Sequence, residues 1–211
     1  MKAVIFDRDG VILDSEKINI DAAIKAFETL GIKIKEEEKT QIIGRHPDDF
    51  KDFFLKKYEF SYEEFRKLHR ENWYKFLETT PLFKKTIDLI KKLYESKIIL
   101  ALTTSGGPNS TEKILKKTGL DKIFSVVITN ADYVKKKPNP EPYLTTAKKL
   151  GLEPSECVVI EDTPVGVESA KAAGMKCIAL PNEFTKKQDF SKADLIVDSA
   201  DKITIKMLNS L

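Results

Sequence analysis

Two pairs of acidic residues each follow a short apolar run in this chain of 211 residues. The first pair is Asp7 and Asp9, and the second is Glu161 and Asp162. Carboxylates can act as nucleophiles, transfer protons or bind a hard metal ion. Taken alone, each pair is also typical of a turn or of a helix N-cap. A calcium-binding EF-hand loop is excluded at the first pair, because Val11 stands at its fifth position.

Two further segments carry groups that phosphate sites use. Thr104, Ser105 and Gly106 follow an apolar run and open a helix-like segment, so their backbone N–H groups could bind a phosphate. Ordinary helix capping by a hydroxyl group is the alternative there. Lys137 precedes a Pro-Asn-Pro segment, whose rigid backbone would hold this lysine in one direction while the two preceding lysines stay in solvent.

The apolar runs themselves predict a parallel sheet. They are short and rich in β-branched residues, as buried parallel strands are, and they span residues 3–6, 98–103, 126–129, 157–160, 176–180 and 195–197. Amphipathic segments of helix length lie between most of them, at residues 86–94, 110–117, 142–150 and 165–173. This alternation predicts an α/β fold with a doubly wound, Rossmann-like parallel sheet.

The carboxyl ends of parallel strands lie at one edge of a sheet, so all four polar clusters should meet there. Asp7, Asp9, Glu161 and Asp162 would then crowd negative charge into one small site. That crowding would raise their pKa values and oppose folding unless a cation compensated. An all-oxygen site of this kind favours Mg²⁺ as the cofactor.

The interval between the first two predicted strands is longer than a crossover requires. Residues 15–81 show helical periodicity and no convincing strand, and their apolar positions predict about four short helices that pack on one another. We therefore expect an inserted α-helical cap domain at residues 15–81. The α/β core domain would comprise residues 1–14 and 82–211.

Taken in order, the four clusters resemble the motifs of the haloacid dehalogenase-like superfamily, in its branch with a helical cap between the first two motifs. The resemblance covers essentially the whole chain. It is carried by the DxDGV string that starts at Asp7, by Thr104, by Lys137-Pro138 and by Glu161-Asp162-Thr163-x-x-Gly166. Residues 9–16 further resemble the group that contains sugar-phosphate phosphatases and β-phosphoglucomutase.

The resemblance implies a role for each core residue. Asp7 would be the nucleophile that forms an aspartyl phosphate, and Asp9 would be the general acid and base. Thr104 and Lys137 would bind the phosphate, together with Ser105 and Gly106 of the loop. The metal set would be Asp7, Asp9 through its backbone carbonyl, Asp162, and Glu161 either directly or through a metal-bound water.

The cap would exclude water and contact the part of the substrate beyond the phosphate. Gly44, Arg45 and His46 form our candidate specificity loop, with Gly44 and Arg45 as substrate-binding residues. The chain has two histidines, His46 and His69. We expect both to be surface or capping residues, which makes a histidine-based metal site a poor expectation.

Two positions depart from the family pattern. Arg8 replaces the apolar or small residue that usually separates the two aspartates of the first motif. Glu141 stands where an aspartate usually follows Lys-Pro-x-Pro. We expect neither position to carry essential chemistry.

These observations predict a Mg²⁺-dependent phosphatase that acts on a sugar phosphate or a similar small phosphate ester. The alternative is a β-phosphoglucomutase-like mutase. The cap histidine and arginine that assist phosphate transfer to a sugar in that enzyme align with Asn19 and Pro47, which can supply neither a base nor a cation. A dehalogenase would need neither Asp9 nor a metal. A receiver-type phospho-switch would need no helical insertion.

Composition limits the possible partners. The net charge is only +3 and the lysines are spread over predicted helices, so nucleic acid is a poor expectation. No stretch approaches the roughly 20 apolar residues of a membrane span. Cys157 and Cys177 lie in apolar strand-like runs without a CxxC spacing, which indicates a reducing cytoplasm. We expect a monomer or a weak homodimer.

Overall fold

The computed structural model describes residues 1–43, 45 and 47–211. Gly44 and His46 of the candidate specificity loop therefore lie outside the described residues. The described chain divides into two compact units. The larger unit comprises Met1–Leu13 and Leu82–Leu211, and the smaller unit comprises Asp14–Pro81.

The larger unit is built on a six-stranded sheet in which every neighbouring pair of strands is parallel. The strands are β1 (Ala3–Phe6), β2 (Ile99–Thr103), β3 (Val126–Ile128), β4 (Cys157–Glu161), β5 (Lys176–Ala179) and β6 (Leu195–Ile196). Their spatial order is β3-β2-β1-β4-β5-β6. This is the order of a doubly wound Rossmann-like sheet, so the predicted fold class is confirmed.

The register of the central strands fixes where the polar residues emerge. Phe6, the last residue of β1, lies opposite Leu102 of β2 and Ile160 of β4. The residues that follow these three positions therefore leave the sheet at the same edge. The order of strands also changes direction between β1 and β4, where ligands of such sheets bind.

The smaller unit is helical, as the insertion predicts. It contains α1 (Ser15–Thr29), a 3₁₀ helix (Glu36–Gln41), α2 (Pro47–Leu55) and α3 (Tyr62–Leu77). Asp14 caps α1 and Ser61 caps α3, each through its side-chain oxygen. The inserted helical cap domain of the predicted fold class is thus present.

Aromatic side chains dominate the core of the smaller unit. Phe27 of α1 contacts Phe54 of α2 and Phe65 of α3, with ring centroids 4.6 and 4.5 Å away. Phe53 and Leu55, whose apolar character made them candidate packing residues, are 39% and 41% exposed. In a helix, positions 50 and 54 share one face, which leaves position 53 at the side and position 55 outside.

His69 corrects one sequence-based expectation. Its side chain is buried rather than on the surface, and its ring lies 5.9 Å from that of Phe65. The cause is its place four residues after Phe65 on the inner face of α3, where the helix packs against α1.

Five helices belong to the larger unit. They are α4 (Lys84–Glu95), α5 (Pro108–Thr118), α6 (Glu141–Leu150), α7 (Pro164–Ala172) and α8 (Ile205–Ser210), with short 3₁₀ helices at Pro154–Glu156 and Ala200–Lys202. Helices α5 and α6 end at Gly119 and Gly151 in the left-handed conformation that glycine favours. Helices α6 and α7 contact each other and the strands beside them.

Alternating strand residues supply the core beneath α6 and α7. Ala3, Ile5, Cys157, Val159 and their neighbours form one buried cluster with residues of these two helices. Cys157 and Cys177 are free and buried, as expected of small core residues. In the part of the chain that the structure describes, no helix is long and apolar enough to cross a membrane.

Candidate active site

Backbone hydrogen bonds extend the sheet just far enough to fix the site loops. The amide of Asp7 donates to the carbonyl of Ile160 at 3.0 Å, one residue beyond the end of β1. The amide of Thr104 donates to the carbonyl of Ile128 at 2.9 Å, one residue beyond β2. Both side chains therefore start from rigid backbone, which limits their freedom at the sheet edge.

Lys137 lies at the centre of a buried polar cluster. Its Nζ donates to Asp7 Oδ1 and to Glu161 Oε1, each at 2.7 Å, and to the hydroxyl of Tyr143 at 2.9 Å. The Tyr143 hydroxyl in turn donates to Glu161 Oε1 at 2.9 Å. Only 8% of the Lys137 side chain is exposed, whereas Lys135 and Lys136 are exposed, as predicted.

Glu161 has partners at both carboxylate oxygens. Oε2 accepts hydrogen bonds from the amides of Asp162 and Thr163 at 3.0 and 3.2 Å, and from the Thr163 hydroxyl at 3.1 Å. Gly166 passes so close that a Cβ there would lie 1.8 Å from Oε1. The chain's own groups thus hold both carboxylate oxygens of Glu161 in place.

Asp9 contacts a different cation. Arg8 Nη2 donates to Asp9 Oδ2 at 2.7 Å, and Arg8 Nε lies 3.2 Å from both oxygens of that carboxylate. The Thr104 hydroxyl also donates to Asp9 Oδ2, at 3.2 Å. The Asp9 side chain remains 32% exposed at this edge of the sheet.

Asp162 is held by an asparagine from the loop after β5. Asn182 Nδ2 donates to Asp162 Oδ2 at 2.7 Å and to the carbonyl of Gly10 at 3.3 Å. Gly10 adopts φ 75° and approaches the same carboxylate so closely that a Cβ would lie 1.8 Å from Oδ2. Both its conformation and the available space therefore require glycine.

The buried carboxylates resist ionisation. Burial, followed by the negative charges of Glu161 and Asp9, raises the pKa of Asp7 to about 7, although Lys137 acts in the opposite direction. Burial also raises the pKa of Asp162 well above its usual value, with further contributions from Glu161 and Asp7. One ammonium group cannot neutralise this many carboxylates.

Lys137 itself stays charged. Burial would lower the pKa of this lysine, but the carboxylates of Asp7 and Glu161 raise it well above its ordinary value. A protonated amine at this position can donate to phosphate oxygens.

The loop after β2 is partly ordered by its own groups. The amide of Gly106 donates to the Thr104 hydroxyl at 2.9 Å, and the Tyr133 hydroxyl donates to the Thr104 carbonyl at 3.1 Å. Ser105 is exposed. Thr104 is therefore a fixed element of this loop, whereas Ser105 faces solvent.

Comparison with known proteins agrees with this geometry. Residues 4–180 match the family described as haloacid dehalogenase-like hydrolase. The chain is 32% identical to the phosphorylated carbohydrates phosphatase of Thermotoga maritima, over 84% of each sequence.

Solved structures of related enzymes have a similar fold. A HAD hydrolase of family IA, variant 3, from Entamoeba histolytica superposes with a TM-score of 0.83 at 26% identity, covering 100% of this chain and 98% of its own. The β-phosphoglucomutase of Clostridium difficile superposes with a TM-score of 0.76 at 25% identity, covering 100% of this chain and 96% of its own.

The chain belongs to the haloacid dehalogenase-like hydrolases. The resemblance predicted from the motifs is confirmed, and so is the enzyme class, a hydrolase of phosphate monoesters.

The structure of this hydrolase brings the predicted core residues to one edge of the sheet. Asp7, Lys137 and Glu161 are in direct contact, and Asp9 contacts Thr104. Arg45 lies exposed in the smaller unit, where its Nη1 donates to Gln41 Oε1 at 3.1 Å. Gly44 lies outside the described residues.

One departure from the family pattern has a structural explanation. Glu141 accepts hydrogen bonds from the amides of Val134 and Lys135, each at 2.9 Å, and so closes the loop that carries Lys137. These hydrogen bonds lower the pKa of Glu141, which keeps it ionised in this role.

Sequence reasoning missed Tyr143 and Asn182. Tyr143 sits on the inner face of α6, and a buried tyrosine usually needs a partner for its hydroxyl, so its spacing from Lys137 was a usable signal. Asn182 follows β5 in a polar loop, and nothing in its local pattern distinguishes it from a turn residue.

The donor set suits Mg²⁺ better than a metal held by protein side chains alone. Among residues 1–43, 45 and 47–211, no group of three or more His, Cys, Asp or Glu side chains is arranged to hold a metal ion. Mg²⁺ is typically bound by one or two carboxylates together with waters and substrate phosphate. Asp7 and Asp162 are two buried carboxylates that follow neighbouring strands at this edge of the sheet, which fits that number of carboxylate ligands.

The raised pKa of Asp7 predicts that this residue destabilises the metal-free protein at high pH. The unfolded chain ionises Asp7 near pH 4, whereas the folded protein does so only near pH 7, so stability should fall as the pH rises between these values. Asp7→Asn removes this loss of stability, because an amide does not ionise. At pH 8 in chelator it should raise the free energy of unfolding by roughly 2 to 4 kcal/mol, and at pH 4 it should have little effect.

Urea denaturation at the two pH values measures this difference. Asp88→Asn, at an exposed position on α4, is the matched control and should show no such pH dependence. Equal stability of wild type and Asp7→Asn at pH 8 would contradict a raised pKa of Asp7 in the folded protein.

Proposed function

We propose that this hydrolase is a Mg²⁺-dependent phosphatase that removes phosphate from a small phosphate monoester through an aspartyl phosphate on Asp7. The observation that carries the proposal is the buried contact between Asp7 and Lys137 at the carboxyl edge of β1. It places a carboxylate nucleophile and a phosphate-binding cation side by side.

Asp7 would attack phosphorus through a carboxylate oxygen. Its Oδ1 is held by Lys137, and among the described residues none donates a hydrogen bond to Oδ2, which makes Oδ2 the better placed nucleophile. Lys137 would bind an oxygen of the transferring phosphoryl group and limit the build-up of negative charge. Tyr143 and Glu161 keep this lysine in place.

Asp9 would transfer the protons. In the first step its carboxyl group gives a proton to the departing alkoxide, and in the second it takes a proton from the water that hydrolyses the aspartyl phosphate. Its partial exposure leaves it within reach of a substrate and of water. Thr104, hydrogen-bonded to Asp9, would contribute to the phosphate site together with Ser105 and Gly106.

Asp7 and Asp162 would hold the metal through their side chains, with the backbone carbonyl of Asp9 as a third ligand. When bound, Mg²⁺ would neutralise charge on the phosphoryl oxygens and help to orient the phosphate. Glu161, whose oxygens already have partners in the chain, would act indirectly. Asn182 would keep Asp162 turned toward the ion.

The substrate class follows from family and site together. A relative that is 32% identical over most of its length is named for phosphorylated carbohydrates, which supports a sugar phosphate or a similar metabolite. The inserted helical unit would shield the reaction from bulk water and provide specificity, with Gly44 and Arg45 as contacts. A cytoplasmic location and a monomer or weak homodimer complete the proposal.

Replacing either aspartate of the first motif should stop turnover by different routes. Asp7→Asn should abolish phosphate release, because an amide cannot attack phosphorus. Asp9→Asn should lower steady-state release by about 10²- to 10⁴-fold, because both proton transfers lose their carrier. The measurement is phosphate release from p-nitrophenyl phosphate and from a panel of sugar phosphates in Mg²⁺ buffer.

Mass spectrometry of acid-quenched wild type should detect a phosphoryl group on the peptide that contains Asp7. Asp88→Asn serves again as the control and should keep wild-type rates. Near-normal turnover by Asp7→Asn would disprove the nucleophile assignment.

Mg²⁺ binding can be followed without activity. Thermal unfolding of the wild type should shift upward by a few degrees in saturating Mg²⁺, because an ion that binds only the folded state stabilises it. Asp162→Ala should lose most of this shift, whereas Glu161→Gln should lose less of it. Identical Mg²⁺ titrations for wild type and Asp162→Ala would rule out Asp162 as a ligand.

A mutase is the second candidate, favoured by the structural similarity to β-phosphoglucomutase. The sequence resemblance aligns Asn19, on α1, and Pro47, at the start of α2, with the positions where a mutase would have a base and a second phosphate ligand. Water should therefore be the better acceptor. With β-glucose 1-phosphate and its bisphosphate primer, phosphate release should exceed glucose 6-phosphate formation, and the reverse order in a coupled assay would favour the mutase.

A further inference from the structure

We propose that Arg8 is a positioning residue, which fixes the carboxylate of Asp9 so that one chosen oxygen faces the substrate. The inference rests on the proposed function, because it assigns to Arg8 a role that acts through the proton transfers of Asp9. It also replaces the expectation that position 8 carries no essential chemistry.

Arg8 is buried behind the carboxylate that it contacts. The Arg8 side chain is 3% exposed, whereas that of Asp9 is 32% exposed. The arginine therefore lies on the protein side of Asp9 and does not cover its open side. A buried cation placed in this way restricts the motion of the carboxylate while leaving it accessible.

The remaining contacts of Arg8 anchor it to the start of α5. Nη1 donates to the hydroxyls of Ser110 and Thr111 at 3.0 and 2.9 Å, and both hydroxyls donate to the carbonyl of Gly107. Both hydroxyl groups are thereby fixed in orientation. The guanidinium is held at a defined place, as a rigid planar group with several donors can be.

Gly106 provides the space for this arrangement. A Cβ at that position would lie 2.1 Å from Arg8 Nη2, so any side chain would displace the guanidinium. The loop that carries Thr104 is thus shaped around Arg8 as well as around the phosphate site.

The position of Arg8 is unfavourable without its partner. The N-terminus of a helix carries partial positive charge, and a buried arginine there is opposed by the helix dipole and by desolvation. Ser110 and Thr111 are neutral and do not offset that charge. Among the described residues, the carboxylate of Asp9 is the only acidic group in an ion pair with Arg8, so it is the group that offsets this charge.

The contacts distinguish the two oxygens of Asp9. Oδ2 receives hydrogen bonds from Arg8 Nη2 at 2.7 Å and from Thr104 at 3.2 Å, in addition to the Nε contact at 3.2 Å. Among the described residues, only Arg8 Nε contacts Oδ1, at 3.2 Å. Oδ1 therefore has fewer donors than Oδ2 and is the oxygen that we assign to carry the proton, while Arg8 and Thr104 hold Oδ2.

The test compares two substrates whose leaving groups differ in their need for a proton. An alkyl phosphate such as glycerol 1-phosphate releases an alkoxide that must be protonated, whereas p-nitrophenyl phosphate releases a stable phenolate. Arg8→Met should lower kcat/KM for the alkyl phosphate by about 10²-fold, the lower end of what general acid catalysis contributes. It should lower kcat/KM for p-nitrophenyl phosphate less than about 5-fold, because departure of the phenolate needs little help.

A double-mutant cycle shows whether Arg8 acts through Asp9. Once Asp9→Asn has removed the proton carrier, adding Arg8→Met should change the rate less than about 3-fold, because residues that act together are not additive. Arg70→Met, at an exposed position on α3, is the control arginine and should leave both substrates unaffected.

Two results would overturn the inference. One is an equal loss on both substrates, which a general structural effect would produce, and the other is full additivity with Asp9→Asn. If Arg8→Met does not fold, the double variant Ser110→Ala/Thr111→Val, which removes only the anchor, should show the same selective loss. Normal alkyl phosphate hydrolysis by Asp9→Asn would instead disprove the proposed function itself.

Discussion

The buried ammonium group of Lys137 holds together residues that are far apart in the sequence. It joins Asp7, which follows β1, to Glu161, which ends β4, and the Tyr143 hydroxyl on α6 completes the cluster. Removing the lysine from such a cluster would leave buried carboxylates without compensation, which costs several kcal/mol. The edge of the sheet therefore depends on this lysine for its shape before any substrate binds.

The sheet was predictable because its strands are covered on both faces. A strand such as β1, with four fully buried residues, appears in the sequence as an unbroken apolar run bounded by polar residues. The helical structure of the smaller unit could also be predicted from the sequence, but not which apolar side chains of its helices point inward. Phe53 lies among several apolar neighbours on a nine-residue helix, and only the packing against α3 decides that Phe50 and Phe54 point inward.

The sequence could predict which residues belong to the site, but not which of these residues contact one another. Strand register brings Asp7, Thr104 and Glu161 to one edge, and this follows from the alternation of strands and helices. Which cation meets which carboxylate depends on side-chain direction at the strand ends, where no periodicity operates. The contacts of Arg8 with Ser110 and Thr111 could not be predicted for this reason, since these two residues lie about a hundred positions away in the sequence.

The distribution of charge at this edge gives a physical reason for a divalent ion. Four carboxylates meet two buried or partly buried cations, Lys137 and Arg8, so the chain's own groups leave two negative charges uncompensated. Burial raises the pKa values of Asp7 and Asp162. Lys137 contacts both Asp7 and Glu161, and Arg8 contacts Asp9, whereas among the described residues no cation forms an ion pair with Asp162. One Mg²⁺ bound by Asp7 and Asp162 would compensate these two negative charges. The arrangement thus separates the carboxylates proposed to bind the ion from the one proposed to move protons, and Arg8 maintains that separation.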